Sequence, residues 1–281
     1  MYKYKVAVVM PVRNEAKYIH RSLSSVVNQL LEPKYIVVVD NGSTDPTPDI
    51  VKSYARVYSN ISMIHVEPIG SYNPFAEASR AILAGISYIN SIDNVDYITI
   101  VGADTALEYR YLKQVVGFVK DKPEIVIAGG ITINEYHRPV YIRGTGMVIR
   151  KNYLDSLDHE IVETAIKENL PLDTLIQLEA IARGKKLALV KKALMKLLRP
   201  TRRPPPAILG KIDAWLCTDP AFALAKSLKY AKNPKNLLTY LYSYMKNYRK
   251  RIRRLCRAKG QMEKATIGVR KPSYLIVENN E

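Results

Sequence analysis

Cysteine is nearly absent from this chain: Cys217 and Cys256 are the two among 281 residues. Two thiols so placed form no disulfide framework and match no metal-ligand spacing, so a reduced, cytosolic setting is the expectation. Long apolar runs are missing as well. None reaches the roughly 18–20 residues that a bilayer-crossing helix needs, and the opening MYKYKVAVVMPVRNE lacks the layout of a signal peptide. There is no internal repeat, no low-complexity segment beyond one proline run, no Ser/His/Asp set and no Cys/His cluster. A disulfide scaffold, a repeat array and a Cys/His metal module are therefore excluded.

Acidic residues are the third shortage, and this one is local. Residues 185–271 hold 24 Lys and Arg against Asp213, Asp219 and Glu263, a balance of +21, while the rest of the chain carries −4. A near-neutral part is followed by a strongly cationic one. A field of that size attracts polyanions: nucleic acid, an anionic membrane surface or phosphorylated substrates. Apolar residues at 47% and charged residues at 25% are ordinary globular usage, which excludes disorder over the whole length.

What is present begins with alternation. Short β-rich runs at Lys5–Met10, Tyr35–Val39, Ile61–Val66 and Tyr97–Val101 predict buried strands. Between them the spacing predicts helices over Glu15–Leu31, Asp49–Tyr58 and Pro74–Ile89, the first with Ile19, Leu23, Val26, Val27 and Leu30 along one face. Strands alternating with helices predict an α/β fold, a mostly parallel sheet with helices on both faces. Further on, Leu107–Val119, His159–Asn169 and Leu172–Ala182 have helical spacing, while Ile125–Ile133, Tyr141–Ile149 and Leu187–Val190 are strand-like. The string Arg199–Pro206 suits neither and marks a linker or a wrapping segment. Beyond it, Ile208–Cys217, Ala221–Tyr230 and the long stretch Pro234–Arg257 are helical by spacing.

Ligands of open parallel sheets sit outside the carboxyl ends of the strands. Three strands here end in polar loops, Pro11–Glu15, Asp40–Asp45 and Gly102–Asp104, which such a fold brings to one edge. A carboxylate there accepts from a nucleobase N–H or a sugar hydroxyl, or takes up a hard divalent cation. As plain structure, the same residues end strands and cap helices; three such loops in succession favour a site.

The residues Pro11, Arg13, Asn14 and Glu15 after a first strand, then Val38-Val-Asp40-Asn-Gly42-Ser-Thr-Asp45, then Ala78-Ser-Arg80 with Gly85, then Gly102-Ala103-Asp104 at a strand end, resemble in this order the motifs of the family 2 glycosyltransferases. The resemblance covers roughly residues 5–192. It implies the GT-A fold, a UDP- or GDP-sugar as donor, and inversion at the transferred sugar. It also implies that Pro11, Arg13, Glu15, Asp40, Gly42, Arg80, Ala103 and Asp104 line the donor site. Asp40 would contact the base, and Asp104 would hold Mg2+ or Mn2+ on the diphosphate. The chain departs from the pattern twice. Gly102 stands where the D-x-D element has its first carboxylate, and Ala81 follows Arg80 where many members have Asn. The first departure removes one ribose or metal contact, but a hard ion can take its other oxygens from the diphosphate and water.

An inverting transfer also needs a carboxylate to draw the proton from the attacking hydroxyl. The family places it at the opening of a helix that ends in glycine. Here Pro171-Leu-Asp173, with Gly184 after the helix, fits that arrangement and makes Asp173 the base, with Leu172 where a Glu often stands. The plain alternative is a helix-capping aspartate. Glu179, mid-helix, is the weaker candidate. Tyr141–Arg150 resembles the acceptor-side strand; its Gly144 and Gly146 either let the backbone approach the sugar or mark a bulge. His137, in the loop before that strand, is placed to meet substrate, whereas His20, His65 and His159 are ordinary surface or core residues on this reading.

The chain divides into a GT-A-like domain at 1–192 and a basic, mostly helical extension at 193–281. Leu237, Leu238, Leu241, Tyr242, Met245 and Tyr248 recur at helical spacing beside the basic run Tyr248–Arg257. Such helices suit the headgroup layer of an anionic membrane, and the same composition suits nucleic-acid phosphates. The plain reading is a helical subdomain with a solvated basic face. Many family members act on lipid-linked acceptors at the cytoplasmic leaflet, so the resemblance favours the membrane over nucleic acid. It implies a cytoplasmic, peripheral enzyme that moves a hexose to a hydroxyl, glycan or lipid-phosphate acceptor. The rival is a non-catalytic nucleic-acid- or membrane-binding protein on a decayed transferase scaffold, which Gly102 keeps in play. A nucleotidyltransferase would need a Gly-rich, Lys-bearing first loop, and the chain has none.

Overall fold

The computed structural model of the chain describes residues 4–69, 74–135, 141–201, 204–230, 233–266 and 273–278. The early alternation becomes β1 (Val6–Val12), α1 (Ile19–Val27), β2 (Tyr35–Asp40), α2 (Thr47–Val57), β3 (Ile61–His65), α3 (Pro74–Ile92) and β4 (Tyr97–Ile100). β1 lies between β2 and β4, parallel to both, and β3 pairs parallel with β2. Strands covered on both faces need continuous β-branched runs rather than alternation, and Val8, Val9, Val37 and Val38 are all fully buried. Val9, Val37 and Val39 join Ala81 and Ile89 of α3 in one core layer. Val8, Met10 and Val38 join Leu23 and Val26 of α1 in the other. Gly85 lets α3 lie directly on the sheet: a Cβ there would fall 2.6 Å from Val9 Cγ1. That contact fixes where α3 carries Glu77 and Arg80.

After β4 come β5 (Thr105–Leu107), α4 (Tyr111–Val119), β6 (Ile125–Thr132), β7 (Met147–Arg150), α5 (Lys151–Asp155), α6 (His159–Lys167), α7 (Leu172–Ala182) and β8 (Lys186–Leu197). The strand order is β3-β2-β1-β4-β7-β6-β8-β5. β7 runs antiparallel to β4 and β6, and β5 antiparallel to β8, while β6 and β8 are parallel. The mostly parallel α/β sheet is present as expected.

Three of these elements differ in extent, as does α1, expected over Glu15–Leu31 and observed at Ile19–Val27. The helix expected from Leu107 starts at Tyr111, because Thr105–Leu107 pairs with the far end of β8. The strand expected from Tyr141 starts at Met147, since Gly146 turns the chain at φ +75° and Ile142 is held by the Gln177 side chain instead of a ladder. The strand expected at Leu187–Val190 runs on to Leu197, so residue 192 falls inside β8.

The chain continues through α8 (Pro206–Trp215), α9 (Pro220–Tyr230), α10 (Pro234–Asn247) and α11 (Cys256–Thr266), then returns to the sheet as β9 (Leu275–Val277), parallel to β8. The long helix expected over Pro234–Arg257 ends at Asn247, and two 3₁₀ turns, Tyr248–Lys250 and Arg253–Leu255, take its second half. Six cations in nine positions would repel one another along a helix. The turns instead let Arg251 stack on the Tyr248 ring at 4.4 Å and Arg254 reach Asp158 at 2.8 Å.

The cysteine expectation is overturned. Cys217, just past α8, and Cys256, opening α11, form a disulfide with Cα atoms 5.0 Å apart. α9 and α10 fold back between them, and closure across 39 positions leaves no mark in local spacing. The disulfide also removes the cysteine argument for a reducing compartment. Among the described residues, no helix is long and apolar enough to cross a membrane.

Candidate functional site

The turns after β1 and β2 are laced into each other. Asn14, at φ +54°, accepts from Thr44 N–H at 2.7 Å, and its own N–H donates to Ser43 Oγ at 3.0 Å. Glu15 N–H donates to Thr47 Oγ1 at 2.8 Å, and Ala16 N–H to Asp45 Oδ2 at 3.0 Å. Burial alone would raise the Asp45 pKa, but the donors on Thr47 and Ala16 outweigh it and hold the carboxyl below its usual range. The two motifs are thus one structural unit.

Asp40 ends β2, buried, with Ser43 N–H donating to it at 3.2 Å and His65 Nδ1 lying 3.1 Å away. His65 is not the ordinary residue its sequence context suggests: Asp40 first, and Glu67 second, raise its pKa. Pro11 pairs opposite Val39 at the end of β1, and Gly42 turns its loop at φ +70°. Arg80 Nη1 donates to the Glu67 carbonyl at 3.0 Å. Behind these residues sits Glu77, buried, accepting from Asn41 Nδ2 at 2.9 Å and from Ile69 N–H at 2.7 Å, with the Arg13 guanidinium 3.9 Å away. Motif reading passed over Glu77. Its signal is position, one helical turn before Arg80 on the same face of α3.

Beyond β4, Gly102 N–H donates to Thr145 Oγ1 at 2.9 Å and Ser22 Oγ donates to the Gly102 carbonyl at 2.9 Å, while Ala103 is buried. Asp104 and Glu15 share one guanidinium. Arg199 Nε donates to Asp104 Oδ2 at 2.6 Å and Nη2 to Glu15 Oε1 at 2.5 Å. Burial works against the Arg199 charge, but the two carboxylates more than offset it. Arg199 opens the string that the sequence marks as a linker or a wrapping segment, and its reach back to Glu15 and Asp104 is that of a wrapping segment.

The space between Glu15 and Asp104 therefore holds a cation already, and this is the structure's test of metal fit. Among the described residues no cluster of three or more His, Cys, Asp or Glu side chains is arranged for a metal. Asp104 offers one partly exposed carboxylate, with the second charge of Glu15 within one guanidinium's span. With Arg199 bridging the pair, Asp104 alone would offer its remaining oxygen to a hard ion, and phosphate and water would have to supply the rest.

Asp173 stands in the first turn of α7. A Cβ on Gly144 would fall 2.3 Å from Asp173 Oδ2, so the backbone at 144 lies against the carboxylate and only glycine fits. One turn on, Gln177 clamps Ile142, accepting from its N–H at 2.7 Å and donating to its carbonyl at 2.8 Å. The same segment continues through Thr145 to Gly102, which ties Asp173 to the loop carrying Asp104. Loss of hydration pushes the Asp173 carboxyl up, against the backbone donor of Thr174. Glu179 is committed to Arg183 at 2.8 Å. His137 lies outside the described residues.

A sequence profile described as Glycosyl transferase family 2 matches residues 7–172. The chain is 35% identical over 114 residues to the poly(ribitol-phosphate) beta-glucosyltransferase of Bacillus spizizenii, covering 39% of this chain and 17% of that protein. It is 40% identical over 86 residues to glycosyltransferase AglE of Haloferax volcanii, 28% of each chain. The matched stretch is thus less than a third of either relative's own length. Among solved structures, S. aureus TarS 1–349 in complex with UDP-GlcNAc superposes with a TM-score of 0.60 at 15% identity, over 94% of this chain and 87% of that one. The mannosyltransferase PcManGT from Pyrobaculum calidifontis, in complex with GDP-Man and Mn2+, gives 0.56 at 16% identity over 96% and 77%. At such identities the likeness is one of fold, and that fold is GT-A.

Proposed function

The chain belongs to glycosyl transferase family 2, and on that footing we propose that it transfers a hexose, with inversion, from a UDP- or GDP-sugar to a hydroxyl or lipid-phosphate acceptor at the cytoplasmic face of a membrane. The observation that carries this reading is the chain of contacts that links four carboxylates, Asp40, Glu15 and Asp104 at or beyond the strand ends and Asp173 at the start of α7. Asp40 is locked to the Pro11–Glu15 turn, Glu15 is joined to Asp104 through Arg199, and Asp104 is joined to Asp173 through Gly102, Thr145 and Gly144.

In this reading Asp40 accepts from the donor's base, with His65 setting the charge it meets. Arg13, held near Glu77, and Arg80 supply positive charge at the nucleotide end. Asp104 would hold Mg2+ or Mn2+, which when bound supplies positive charge to the leaving diphosphate. Arg199 neutralises Glu15 and Asp104 meanwhile, so two carboxylates sit together without repulsion. Asp173 takes the proton of the attacking hydroxyl. Its poor hydration makes it a stronger base than an exposed aspartate, and the Gly144 backbone leaves no room for water on one side.

A second reading, a non-catalytic protein on a transferase scaffold, is favoured by Gly102 and by the guanidinium in the cation's place. A thermal-shift screen of UDP- and GDP-sugars, with and without Mn2+, separates the two. Stabilisation by one donor, strengthened by Mn2+ and followed by nucleotide release on adding acceptor, is the expected result. No shift with any donor would favour the scaffold.

A further inference from the structure

The helices beyond β8 carry two of their three acids, Asp213 and Glu263, inside and much of their apolar surface outside. Asp213, 2% exposed, accepts from Lys226 Nζ at 2.8 Å and from Tyr240 OH at 2.7 Å. Glu263 is buried beside Lys259, and Asp219 caps α9 by accepting from Ala221 N–H at 2.9 Å. Asp219 is the one acid of these helices exposed among the described residues, against exposed Lys235, Lys246, Arg249 and Lys250. Meanwhile five of the eleven exposed large apolar side chains among the described residues fall on α9 and α10. On α9, Leu224 and Leu228 share a face with Ala221 and Ala225, all exposed. On α10, Leu238, Tyr242 and Met245 form a stripe, each about two-thirds exposed, and exposed Arg249 follows in the 3₁₀ turn that succeeds the helix. Lys235, Lys246 and Lys250 are exposed beside it, Lys246 over the Tyr242 ring at 5.9 Å.

This arrangement changes which residues face outward. Leu237 and Leu241 are half-buried rather than presented to solvent. Arg251 is engaged with Tyr248, and Arg254 with Asp158.

We propose that the exposed stripe of α10, extended by that of α9, is a docking surface for an anionic lipid bilayer. α10 lies in the headgroup plane, with Leu238, Tyr242 and Met245 at the acyl boundary and Lys235, Lys246, Arg249 and Lys250 on lipid phosphates. Charge complementarity selects this occupant. A second copy would bring the same cationic surface against itself, whereas anionic headgroups neutralise it. The inference deepens the membrane part of the function proposed above. It is tested without donor or acceptor, so each reading fails separately.

The test is co-sedimentation of the full chain with vesicles of phosphatidylcholine alone or mixed with phosphatidylglycerol, at low and high salt. Binding to the anionic vesicles only, weakened by salt, is expected. Each cation near the surface contributes about fivefold to partitioning, so Lys246→Glu with Arg249→Glu should lower binding at least about 25-fold. Leu238→Glu with Met245→Glu should abolish it. All four positions are exposed, so unchanged melting of the variants separates lost binding from lost folding. Equal binding to neutral and anionic vesicles would overturn the proposal. So would anionic binding that survives both double variants, or a concentration-dependent dimer that Leu238→Glu dissolves in a chain that ignores vesicles. Tighter salt-sensitive binding to RNA than to vesicles would overturn it as well.

Discussion

The sheet and the helical module behind it treat charge in opposite ways. Either side of the sheet, the core layers are built from Val, Ile, Leu, Ala, Met and Tyr, while Asp40 ends β2, Asp104 stands past the end of β4 and Asp173 opens α7. In the module the small apolar cluster is Ala214, Ala223, Tyr240 and Tyr244, and beside it lie Asp213, Lys226, Lys259 and Glu263. Burial drives Lys259 down and Glu263 up, each toward its neutral form. The sheet is held by transfer of continuous apolar surface out of water, about 25 cal/mol per Å2. The four helices of the module and the turns between them lend Ile212, Leu216, Leu255, Ala258 and Met262 to one of the sheet's core layers and hold their own small cluster partly by pairing. Pairing differs from burial in one practical respect: removing a single partner leaves the other uncompensated.

The largest expected effect breaks the site rather than either core. Asp173→Asn should reduce transfer by about 10²–10⁴-fold while leaving donor binding within a few-fold, as read by kinetics at saturating donor. The pKa of Asp173 is raised by desolvation, so the folded state binds a proton more tightly than the unfolded chain. Ionising this group therefore costs stability as pH rises above its unfolded pKa. Asp173→Asn should accordingly melt higher than the parent at neutral pH and equally at pH 3. The acid limb of kcat/KM should lie above the usual aspartate range; a limb within that range would contradict the desolvated placement.

Two perturbations of the module come next. Asp213→Ala, which strands Lys226 and the Tyr240 hydroxyl, should cost about 3–5 kcal/mol in urea melts. In the sheet, Ile98→Val, at a fully buried site, should cost only about 0.5–1.5 kcal/mol. If the two prove equal, the contrast between pairing and burial is wrong. Reduction of Cys217–Cys256 should destabilise by about 4 kcal/mol on chain-entropy grounds for a loop of this length. The loss should appear in hydrogen exchange of α8 and α11 and leave β1 and β2 protected.

The smallest effect concerns pH at the donor end. His65 has its pKa raised by Asp40, so the charged pair persists above pH 6.5 and is lost as pH climbs through the folded pKa. If Asp40 contacts the base, donor affinity measured by calorimetry should improve a few-fold across that interval. In His65→Gln it should be flat.

Much of the site was legible because its pieces are local. Turn formers such as Asn14, Gly42 and Asp45 act within a few positions, and unbroken β-branched runs mark strands buried on both faces. Asp173 was legible as the acid in a helix's first turn. Glu77 and Thr145 were not, since a buried Glu on a helix and a Thr between two glycines become site residues only through contacts supplied by other segments. Helical spacing likewise placed Leu237 and Leu238 on α10 without saying which of two neighbouring faces packs inward.

The sequence by itself determined the order of strands and helices, the carboxylates and glycines at the strand ends, and the division into a neutral and a cationic part. These depend on interactions within a turn or a strand, or on counting charge. Only the tertiary structure decided that Arg199 joins Glu15 to Asp104, that Cys217 meets Cys256, and that Leu238, not Leu237, faces outward. Each of those outcomes depends on how separate segments pack together, and a periodicity read along one segment carries no information about what another segment will bring to it.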